Sequence, residues 1–303
     1  MASAADVGAG GPRTGFVAII GRPNVGKSTL VNALVGERVS ITSRKPQTTR
    51  DRILGVRTDV DAQYIFVDTP GFQRRHRSAL NKRMNDAVTG ALTDVDAIVL
   101  VIDAAGWTAA DDVVVSLLPP ASDRVILALN KIDLIAQRER LLPLMAASMQ
   151  HYPFHAIVPV SAEKQRQLDD LLKEVRALLP EGMPLFDADQ YTDRSARFLT
   201  AERIREKAYR LLGDELPYGV AVTIDRWDET DAGAEIIATL VVDRDSHKGI
   251  VIGKEGAKLR EISRLARAEI QEMLGKPVHL EVWVRVRKGW SDDPSALRKL
   301  GYG

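Results

Sequence analysis

The stretch "GRPNVGKS", residues 21–28, decides how the first part of this chain folds. The apolar run "FVAII" precedes it at 16–20, and a helix-forming segment follows at 27–35. A glycine-rich turn between a strand and a helix is the setting of a phosphate-binding loop, whose backbone N–H groups point at phosphate oxygens. In such a loop Lys27 would reach the β- and γ-phosphates of a nucleotide, and the Ser28 hydroxyl would coordinate Mg²⁺. The alternative is an ordinary glycine-rich turn.

Short apolar runs and amphipathic segments alternate through the first 180 residues. The runs are apolar almost throughout, as strands buried on both faces of a sheet are. Strands that alternate with helices predict a mostly parallel sheet with helices on both faces. The short connection between the second and third runs predicts one antiparallel hairpin at the sheet edge. The predicted strands are 16–20, 52–56, 63–68, 97–103, 124–130 and 155–161, and the predicted helices include 27–35 and 165–179.

The motif "DTPG", residues 68–71, ends the third of these strands. Its Asp68 carboxylate would hold Mg²⁺ through a water molecule, and the Gly71 N–H would meet the γ-phosphate. The next residue is Phe72. In many nucleotide hydrolases a polar side chain at this position orients the attacking water, and a phenyl ring can neither donate nor accept a hydrogen bond. Either the chain does not hydrolyse nucleotides, or another group places the water.

Two further motifs, "NKID" at 130–133 and "VSA" at 160–162, end later strands. The Asp133 carboxylate can accept hydrogen bonds from the N1–H and the 2-amino group of guanine. Adenine has no amine there, so a buried carboxylate would reject it. Asn130 would brace its loop and contact the base, the stem of Lys131 would cover one face of the base, and N–H groups of the second motif are available to guanine O6. Four motifs in this order predict a nucleotide site selective for guanine.

A polar segment, "ERVSITSRKPQTTRD" at 37–51, has no clear periodicity and is where a switch loop is expected. A switch loop supplies a threonine whose hydroxyl and carbonyl meet Mg²⁺ and the γ-phosphate. We prefer Thr49 to Thr48 for this role, with little in the sequence to separate them. The alternative is a solvated basic loop, and most Arg and Lys residues of the segment are expected to be solvated in either case.

Residues 179–198 are rich in Pro, Gly and Asp and are interpreted as a linker. After the linker the order of elements changes to a helix, two paired strands, a second helix and a last strand. This order predicts a separate α+β domain. The predicted helices of that domain are 196–212 and 257–274, and its predicted strands are 218–227, 234–243 and 277–288.

A second glycine loop, "GKEG" at 253–256, lies in this α+β domain. An apolar turn precedes the loop and an amphipathic helix follows it, which is the layout of a KH domain, whose GxxG loop clamps the backbone of about four nucleotides. The segment 244–288 carries 11 Lys and Arg against 6 Asp and Glu, although Glu255 opposes the positive charge locally. The alternative is a solvated charged helix on a domain that binds no nucleic acid. The predicted RNA-binding residues are Ile252, Gly253, Lys254, Glu255, Gly256, Lys258 and Arg260, with further cations at Arg264 and Arg267.

The composition is that of a folded protein, with 45% apolar and 27% charged residues. No apolar run approaches the ~20 residues that cross a bilayer. The first 14 residues lack the apolar core of a secretory signal and are predicted to form a mobile tail. The absence of cysteine excludes disulfides and thiolate metal sites, and it fits the cytoplasm.

Taken together, these motifs resemble the Era family of GTPases, and the resemblance extends from Gly15 to Tyr302. It also includes "KPQTTR" at 45–50 and the closing stretch "GWSDDPSALRKLGY" at 289–302. The family is a P-loop GTPase domain followed by a KH-type RNA-binding domain. The expected division of this chain is a tail at 1–14, the GTPase domain at 15–180, a linker at 181–196 and the KH domain at 197–303.

The resemblance implies a GTP-hydrolysing switch that uses Mg²⁺, binds 16S rRNA through the KH domain and acts in 30S subunit assembly and rRNA maturation. It implies a cytoplasmic monomer, and some members of the family also lie at the inner membrane surface. Two departures affect the switch regions: Asp51 stands where the family usually has His, and "FQRRHRSAL" at 72–80 replaces more typical residues. The rival interpretations are a nucleotide sensor with negligible turnover and a membrane-surface GTPase whose second domain binds protein.

Because Phe72 cannot orient the attacking water, hydrolysis would need help from another group, and a potassium ion is one candidate. Related GTPases with Asn at the position of Asn24 use it to hold K⁺ beside the phosphates. Such a cation would offset the charge that an arginine finger otherwise stabilises. The alternative is that Asn24 suits the turn and Phe72 packs against the domain. In both cases we expect hydrolysis to be intrinsically slow.

The motifs and the resemblance together define the predicted site residues. The nucleotide-binding set is Gly21, Arg22, Pro23, Asn24, Val25, Gly26, Lys27, Ser28, Thr29, Asp68, Thr69, Pro70, Gly71, Asn130, Lys131, Asp133, Ser161 and Ala162. The residues predicted to act in hydrolysis are Lys27, Thr49, Gly71 and Asn24. The predicted Mg²⁺ ligands are Ser28, Thr49 and, through water, Asp68, and Asn24 is the candidate for K⁺.

Overall fold

The computed structural model describes residues 11–43, 48–72, 79–212 and 219–301. Its first sheet has six strands in the order β2-β3-β1-β4-β5-β6. All neighbours in this sheet pair in parallel except β2 and β3, which form the predicted antiparallel edge hairpin. The strands are β1 (Arg13–Ile20), β2 (Ile53–Thr58), β3 (Ala62–Asp68), β4 (Ala97–Asp103), β5 (Val125–Asn130) and β6 (Ala156–Pro159).

Helices cover both faces of this sheet, as predicted. Apolar side chains of α1 and α5 pack on one face, while α2, α3 and α4 pack on the other. The two faces thereby bury the almost continuous apolar runs of β1, β4 and β5, which accounts for the absence of polar alternation in those strands. The helices are α1 (Lys27–Val35), α2 (Ala79–Ala91), α3 (Ala109–Val115), α4 (Leu141–Ser148) and α5 (Leu168–Leu178).

Helix α5 begins three residues later than predicted. Ser161 and Arg166 exchange two backbone hydrogen bonds of 3.1 and 3.0 Å, which close a turn before the helix. Gln167 then adopts a left-handed φ of 57°. The turn therefore occupies residues that the apolar periodicity alone assigns to the helix.

The second domain has the predicted α+β architecture. Its sheet has the order β7-β8-β9, with β7 and β8 antiparallel and β8 and β9 parallel. Apolar side chains of α6 and α8, including Ile204, Ala208, Ile262 and Ala266, pack against one face of this sheet. The elements are α6 (Ala196–Leu211), β7 (Val220–Thr230), β8 (Gly233–Val242), α7 (Asp245–Ile252), α8 (Ala257–Leu274), β9 (Val278–Val286) and α9 (Pro294–Lys299).

The segment predicted as a linker lies along the edge strand β2. The Val56 N–H donates to the Tyr191 carbonyl at 2.8 Å, and the Thr192 hydroxyl donates to the Leu54 carbonyl at 2.7 Å. These bonds occupy polar backbone groups of an edge strand that would otherwise be open to pairing with another chain. The linker is thus anchored to the first domain before α6 begins.

A small apolar cluster joins the two domains. Trp290, which is fully buried, contacts side chains of α2 in the first domain and of β7, β8 and α9 in the second. The cluster consists of Leu80, Met84, Ala221, Val241, Trp290, Ala296 and Leu297. Across the described ranges, none of the helices has both the length and the apolar character needed for a membrane span.

Candidate functional site

The phosphate-binding loop connects β1 to α1, and its backbone geometry requires glycine at two positions. Gly21 has φ 153° and Gly26 has φ 98°. A Cβ atom at Gly26 would lie 2.3 Å from Asn130 Nδ2, and one at Gly21 would lie 2.4 Å from the Val101 carbonyl oxygen. The loop is therefore packed too closely for side chains at these points, and its N–H groups face the cleft above the sheet.

Lys27 is buried in this loop, where its Nζ donates to the Arg22 carbonyl oxygen at 3.1 Å. Burial lowers the pKa of Lys27 to about 8, an effect that Asp68 opposes and Arg22 reinforces. The Arg22 guanidinium itself is directed to α3, where Nε pairs with Asp111 at 3.1 Å. An anionic phosphate would supply the counter-charge that the buried ammonium group favours.

Three oxygen-bearing side chains meet beside the loop. Ser28 Oγ lies 2.8 Å from Thr49 Oγ1, and Thr49 Oγ1 donates to Asp68 Oδ2 at 3.3 Å. Asp68 is fully buried, burial raises its pKa, and its Oδ1 has no hydrogen-bond partner within the described residues. Hydroxyl and carboxylate oxygens in this arrangement fit a hard cation such as Mg²⁺. The structure brings Thr49 to this cluster, whereas Thr48 presents its carbonyl to Arg205 Nη2 at 2.6 Å.

The base-binding end is held together by Asn130. Its Nδ2 donates to the Val25 carbonyl at 2.8 Å, and its Oδ1 accepts from the N–H groups of Lys131 at 2.8 Å and Ala162 at 3.0 Å. The predicted bracing role of Asn130 is confirmed. Asp133 accepts a hydrogen bond from the Ser161 hydroxyl. The phosphate-binding loop and the two base-recognition motifs thus meet at one cleft of about 980 Å³, a size that accommodates a nucleotide.

Some predicted residues contribute through the backbone or through packing. Val25 is fully buried in the core beside α1. The Thr69 hydroxyl is buried and donates to the Ile19 carbonyl at 2.8 Å. A Cβ atom at Gly71 would lie 2.9 Å from Pro23, so the end of "DTPG" packs directly on the phosphate-binding loop. Thr69 therefore secures the turn after β3, and Gly71 lies against the phosphate-binding loop.

Phe72 packs against the core cluster on the α2 face of the sheet, so the predicted packing role of this ring is confirmed. Asn24 is exposed and has φ 67°, a left-handed conformation that Asn tolerates better than most residues. This conformation fits the turn, and the potassium hypothesis stays a prediction. Residues 44–47 and 73–78, which include parts of "KPQTTR" and "FQRRHRSAL", lie outside the described residues.

One cation of the switch loop, Arg50, is buried. Arg50 is only 2% exposed, and its guanidinium donates to the Val220 carbonyl at 2.7 Å and to the Tyr209 hydroxyl at 2.5 Å. The guanidinium carbon also lies 5.6 Å from the ring centroids of Tyr209 and Trp290. Arg50 is thus an exception to the expected solvation of most cations in this segment, because the second domain covers it and supplies its acceptors.

The GxxG loop has the geometry that requires its glycines. Gly253 has φ 71°, Glu255 has φ 50° and Gly256 has φ 77°. A Cβ atom at Gly253 would lie 2.8 Å from the Cβ of Lys258. The loop places the exposed Lys254 side chain between the end of α7 and the first turn of α8, whose N-terminal N–H groups favour an anion.

A groove beside this loop includes residues that sequence reasoning missed. Its floor is formed by Ile252, Leu259, Val282 and Val284, and Trp283, with a side chain 62% exposed, lies at its margin. Among the described strands, β9 pairs with β8 alone, so its other edge offers free N–H and C=O groups. The alternation of apolar and polar residues along β9 could have placed Trp283 on the exposed face of the sheet, opposite Val282 and Val284. The basic residues at the continuation of the groove are Arg260, Arg264 and Arg267.

Two family models match the two domains. The model described as "50S ribosome-binding GTPase" matches residues 16–131, and the model described as "KH domain" matches residues 215–291. Among characterised relatives, GTPase Era of Bordetella avium is 56% identical over 290 residues, which cover 96% of this chain and 98% of that protein. The chain belongs to the Era family of GTPases.

Other members of the Era family support this assignment over nearly the whole chain. GTPase Era of Nitrosomonas eutropha is 47% identical, with 97% of this chain and 99% of that protein covered. A crystal structure of an Aquifex aeolicus Era variant bound to GDP and AlF₄⁻ superposes with a TM-score of 0.92 at 42% identity, covering 96% of this chain and 99% of that one. A structure of Era with MgGDPNP and nucleotides 1506–1542 of 16S ribosomal RNA superposes with a TM-score of 0.93 at 41% identity, with the same coverage of both chains. The predicted fold, family and GTPase class are confirmed.

Proposed function

We propose that this chain is a GTP-dependent switch that binds the 3′ region of 16S rRNA through its second domain and acts in assembly of the 30S subunit. The observation that carries the proposal is the presence of two complementary sites in one chain, a guanine nucleotide cleft and a GxxG groove. The Era protein solved with MgGDPNP and 16S rRNA nucleotides has the same architecture over 96% of this chain.

In the nucleotide site, the N–H groups of residues 21–28 and the Lys27 ammonium would hold the β- and γ-phosphates. Mg²⁺, when bound by Ser28, Thr49 and, through water, Asp68, would neutralise charge that develops on the phosphates. The Gly71 N–H adjoins the phosphate-binding loop and would bind the γ-phosphate. Phe72 packs against the core and its ring cannot hydrogen-bond to water, so we expect slow intrinsic turnover.

Guanine selectivity would follow from the loop that holds Asp133. The Ser161 hydroxyl donates to one carboxylate oxygen and so sets the orientation of the group. The stem of Lys131 covers the base, because its Nζ is tied to the Asn24 carbonyl at 2.7 Å and to Asp103 at 2.8 Å. A carboxylate held in this way pairs with the two donors of guanine and repels the acceptor edge of adenine.

In the RNA groove, the GxxG loop would hold the phosphate backbone of a single strand while the bases lie over the apolar floor. The free edge of β9 can hydrogen-bond to base edges. The cations of α8 would add sequence-independent affinity. The loop would therefore bind the phosphate backbone, and the strand edge would select the bases.

Further features of the proposal are a monomeric state, a cytoplasmic location and peripheral association with the inner membrane surface. They rest on the family resemblance.

The test uses a labelled RNA from the 3′ end of 16S rRNA, titrated with Lys254→Asp and Gly256→Asp at several salt concentrations. Each change should weaken RNA binding by at least tenfold, or ~1.4 kcal/mol, and leave GTP binding unchanged. The Lys254 change should also lower the slope of log affinity against log salt by ~0.7, the value for one phosphate contact on a single strand.

Lys173→Asp is the matched control, because Lys173 is an exposed lysine on α5 in the first domain. It makes the same charge change away from the groove and should leave RNA affinity within the error of the wild type. Calorimetry establishes that each variant is folded. Unchanged affinity in a folded Lys254→Asp, Gly256→Asp double variant would remove this loop from the RNA site, and binding to protein in place of RNA would favour the rival function.

A further inference from the structure

One residue of the second domain lines the nucleotide cleft. Arg210, in the last turn of α6, lines this cleft together with Asn24 and Gly26 of the phosphate-binding loop and with Asp133. Its Nη2 donates to the Thr42 hydroxyl at 3.2 Å and to the Thr42 carbonyl at 3.3 Å, both in the switch loop. The side chain is 49% exposed, which leaves it open to a ligand in the cleft.

The position of Arg210 is fixed by a buried carboxylate. Glu206, whose side chain is fully buried, accepts a hydrogen bond from Arg210 Nη2 at 2.7 Å. The same carboxylate accepts from the Thr42 N–H at 3.1 Å. Within the described residues, every hydrogen bond recorded for the Arg210 guanidinium is made by Nη2. Its Nε and Nη1 therefore keep their hydrogen-bonding capacity for another partner.

The charged side chains around Glu206 give the α6 side of the cleft an excess of positive charge. Arg38, Lys207 and Arg210 all pair with Glu206, and Glu269 pairs with the first two. Three cations thus share two carboxylates. On the opposite wall Lys131 is neutralised by Asp103 at 2.8 Å, while Glu163 is unfavourable to an anion. Arg210 is consequently the cation that the second domain offers to an anionic ligand of the cleft.

We propose that Arg210 is a nucleotide-binding residue contributed by the second domain, with its guanidinium bonded to phosphate oxygens of the bound guanine nucleotide. This inference rests on the function proposed above and adds a residue outside the GTPase domain to the same site. A planar guanidinium presents paired N–H groups that match phosphate oxygens. The contact joins the two domains through the nucleotide, because α6 packs against β7 and α8 of the RNA-binding domain. By linkage, nucleotide occupancy then stabilises this arrangement of the domains.

The test compares Arg210→Ala, Arg210→Lys and Arg210→Gln in the full chain, with GTP and GDP affinities measured in the presence of Mg²⁺ at low and high salt. The Ala variant should bind both nucleotides roughly tenfold more weakly, as the loss of a charge-assisted hydrogen bond predicts. The Lys variant should retain part of the affinity, because it keeps the positive charge but not the paired N–H groups of the guanidinium. The Gln variant should behave as the Ala variant, and the deficit of both should shrink as salt rises.

The matched control is Arg197→Ala, an exposed arginine at the other end of the same helix, which should bind nucleotide as the wild type does. The Gln side chain can still hydrogen-bond to Thr42. Wild-type nucleotide affinity in Arg210→Gln would therefore overturn the proposal and leave Arg210 as a positioning residue for the switch loop. Wild-type affinity in Arg210→Ala would also overturn it. If Arg210→Ala has a lowered melting temperature, the nucleotide affinities of Arg210→Lys and Arg210→Gln are compared instead, and equal affinities in these two variants would overturn the proposal. A wild-type chain that binds no GTP would refute the proposed function itself, whereas normal wild-type binding with unaffected variants refutes the role of Arg210 alone.

Discussion

Replacement of Arg50 by Met should uncouple the two domains. Arg50 lies in the switch loop, yet its guanidinium donates to Val220 and Tyr209 of the second domain and lies 5.6 Å from two aromatic ring centroids. Hydrogen bonds from a charged donor contribute about 1.5–3 kcal/mol each. A buried cation–π contact adds about 1–2 kcal/mol.

These gains are partly cancelled by the cost of burying the charge, which methionine does not incur. The variant also leaves the Val220 carbonyl and the Tyr209 hydroxyl without these donors. We therefore expect a net loss of about 2–4 kcal/mol, located at the contact between the domains. Lysine should not restore the loss, because a point charge cannot reproduce the fork and the stacking of the guanidinium.

Differential scanning calorimetry on the nucleotide-free chain measures this effect. We expect Arg50→Met to lower the temperature of the first transition and to separate the melting of the two domains. Arg226→Met, which removes an arginine from an ion pair on the surface of the second domain, should leave the transitions unchanged. A variant that melts in the same way as the wild type would refute the view that Arg50 couples the domains.

Three other predictions concern the nucleotide site. Asp133→Asn should lose ~2–4 kcal/mol of GTP affinity and shift preference toward xanthine nucleotides, and competition with GTP, XTP and ATP measures it; a mutant that prefers GTP by the wild-type margin contradicts the assignment. Turnover should be faster in K⁺ than in Na⁺ at fixed ionic strength if Asn24 holds the cation, and equal rates that are also unchanged in Asn24→Ala would sink the potassium hypothesis. Gly26→Ala should abolish GTP binding in a titration with labelled nucleotide, because its Cβ would lie 2.3 Å from Asn130 Nδ2. Gly36→Ala, whose Cβ meets nothing within 4 Å, should cost only about 1 kcal/mol of stability.

The sequence predicted the local parts of the site well because phosphate binding depends on short-range backbone geometry. The bounds Lys27–Val35 and Ala257–Leu274 of the helices that follow the two glycine loops agree with the structure. In both loops the glycines occupy left-handed or crowded positions that few other residues can adopt. Asn130 was likewise predictable, because its bracing role belongs to a four-residue motif at a strand end.

Contacts between distant parts of the chain could not be derived from motif spacing. Arg50 looked like one more cation in a polar loop, and only folding brings it against Tyr209, 159 positions away. Thr49 and Thr48 are chemically identical, and the path of the backbone decides which hydroxyl meets Ser28 and Asp68. The sequence by itself determined the two-domain fold and the two glycine loops, and it predicted the base-recognition motifs. The tertiary structure alone decided that Arg50 and Arg210 join the domains, because burial and pairing of a charge depend on which acceptors the fold places around it.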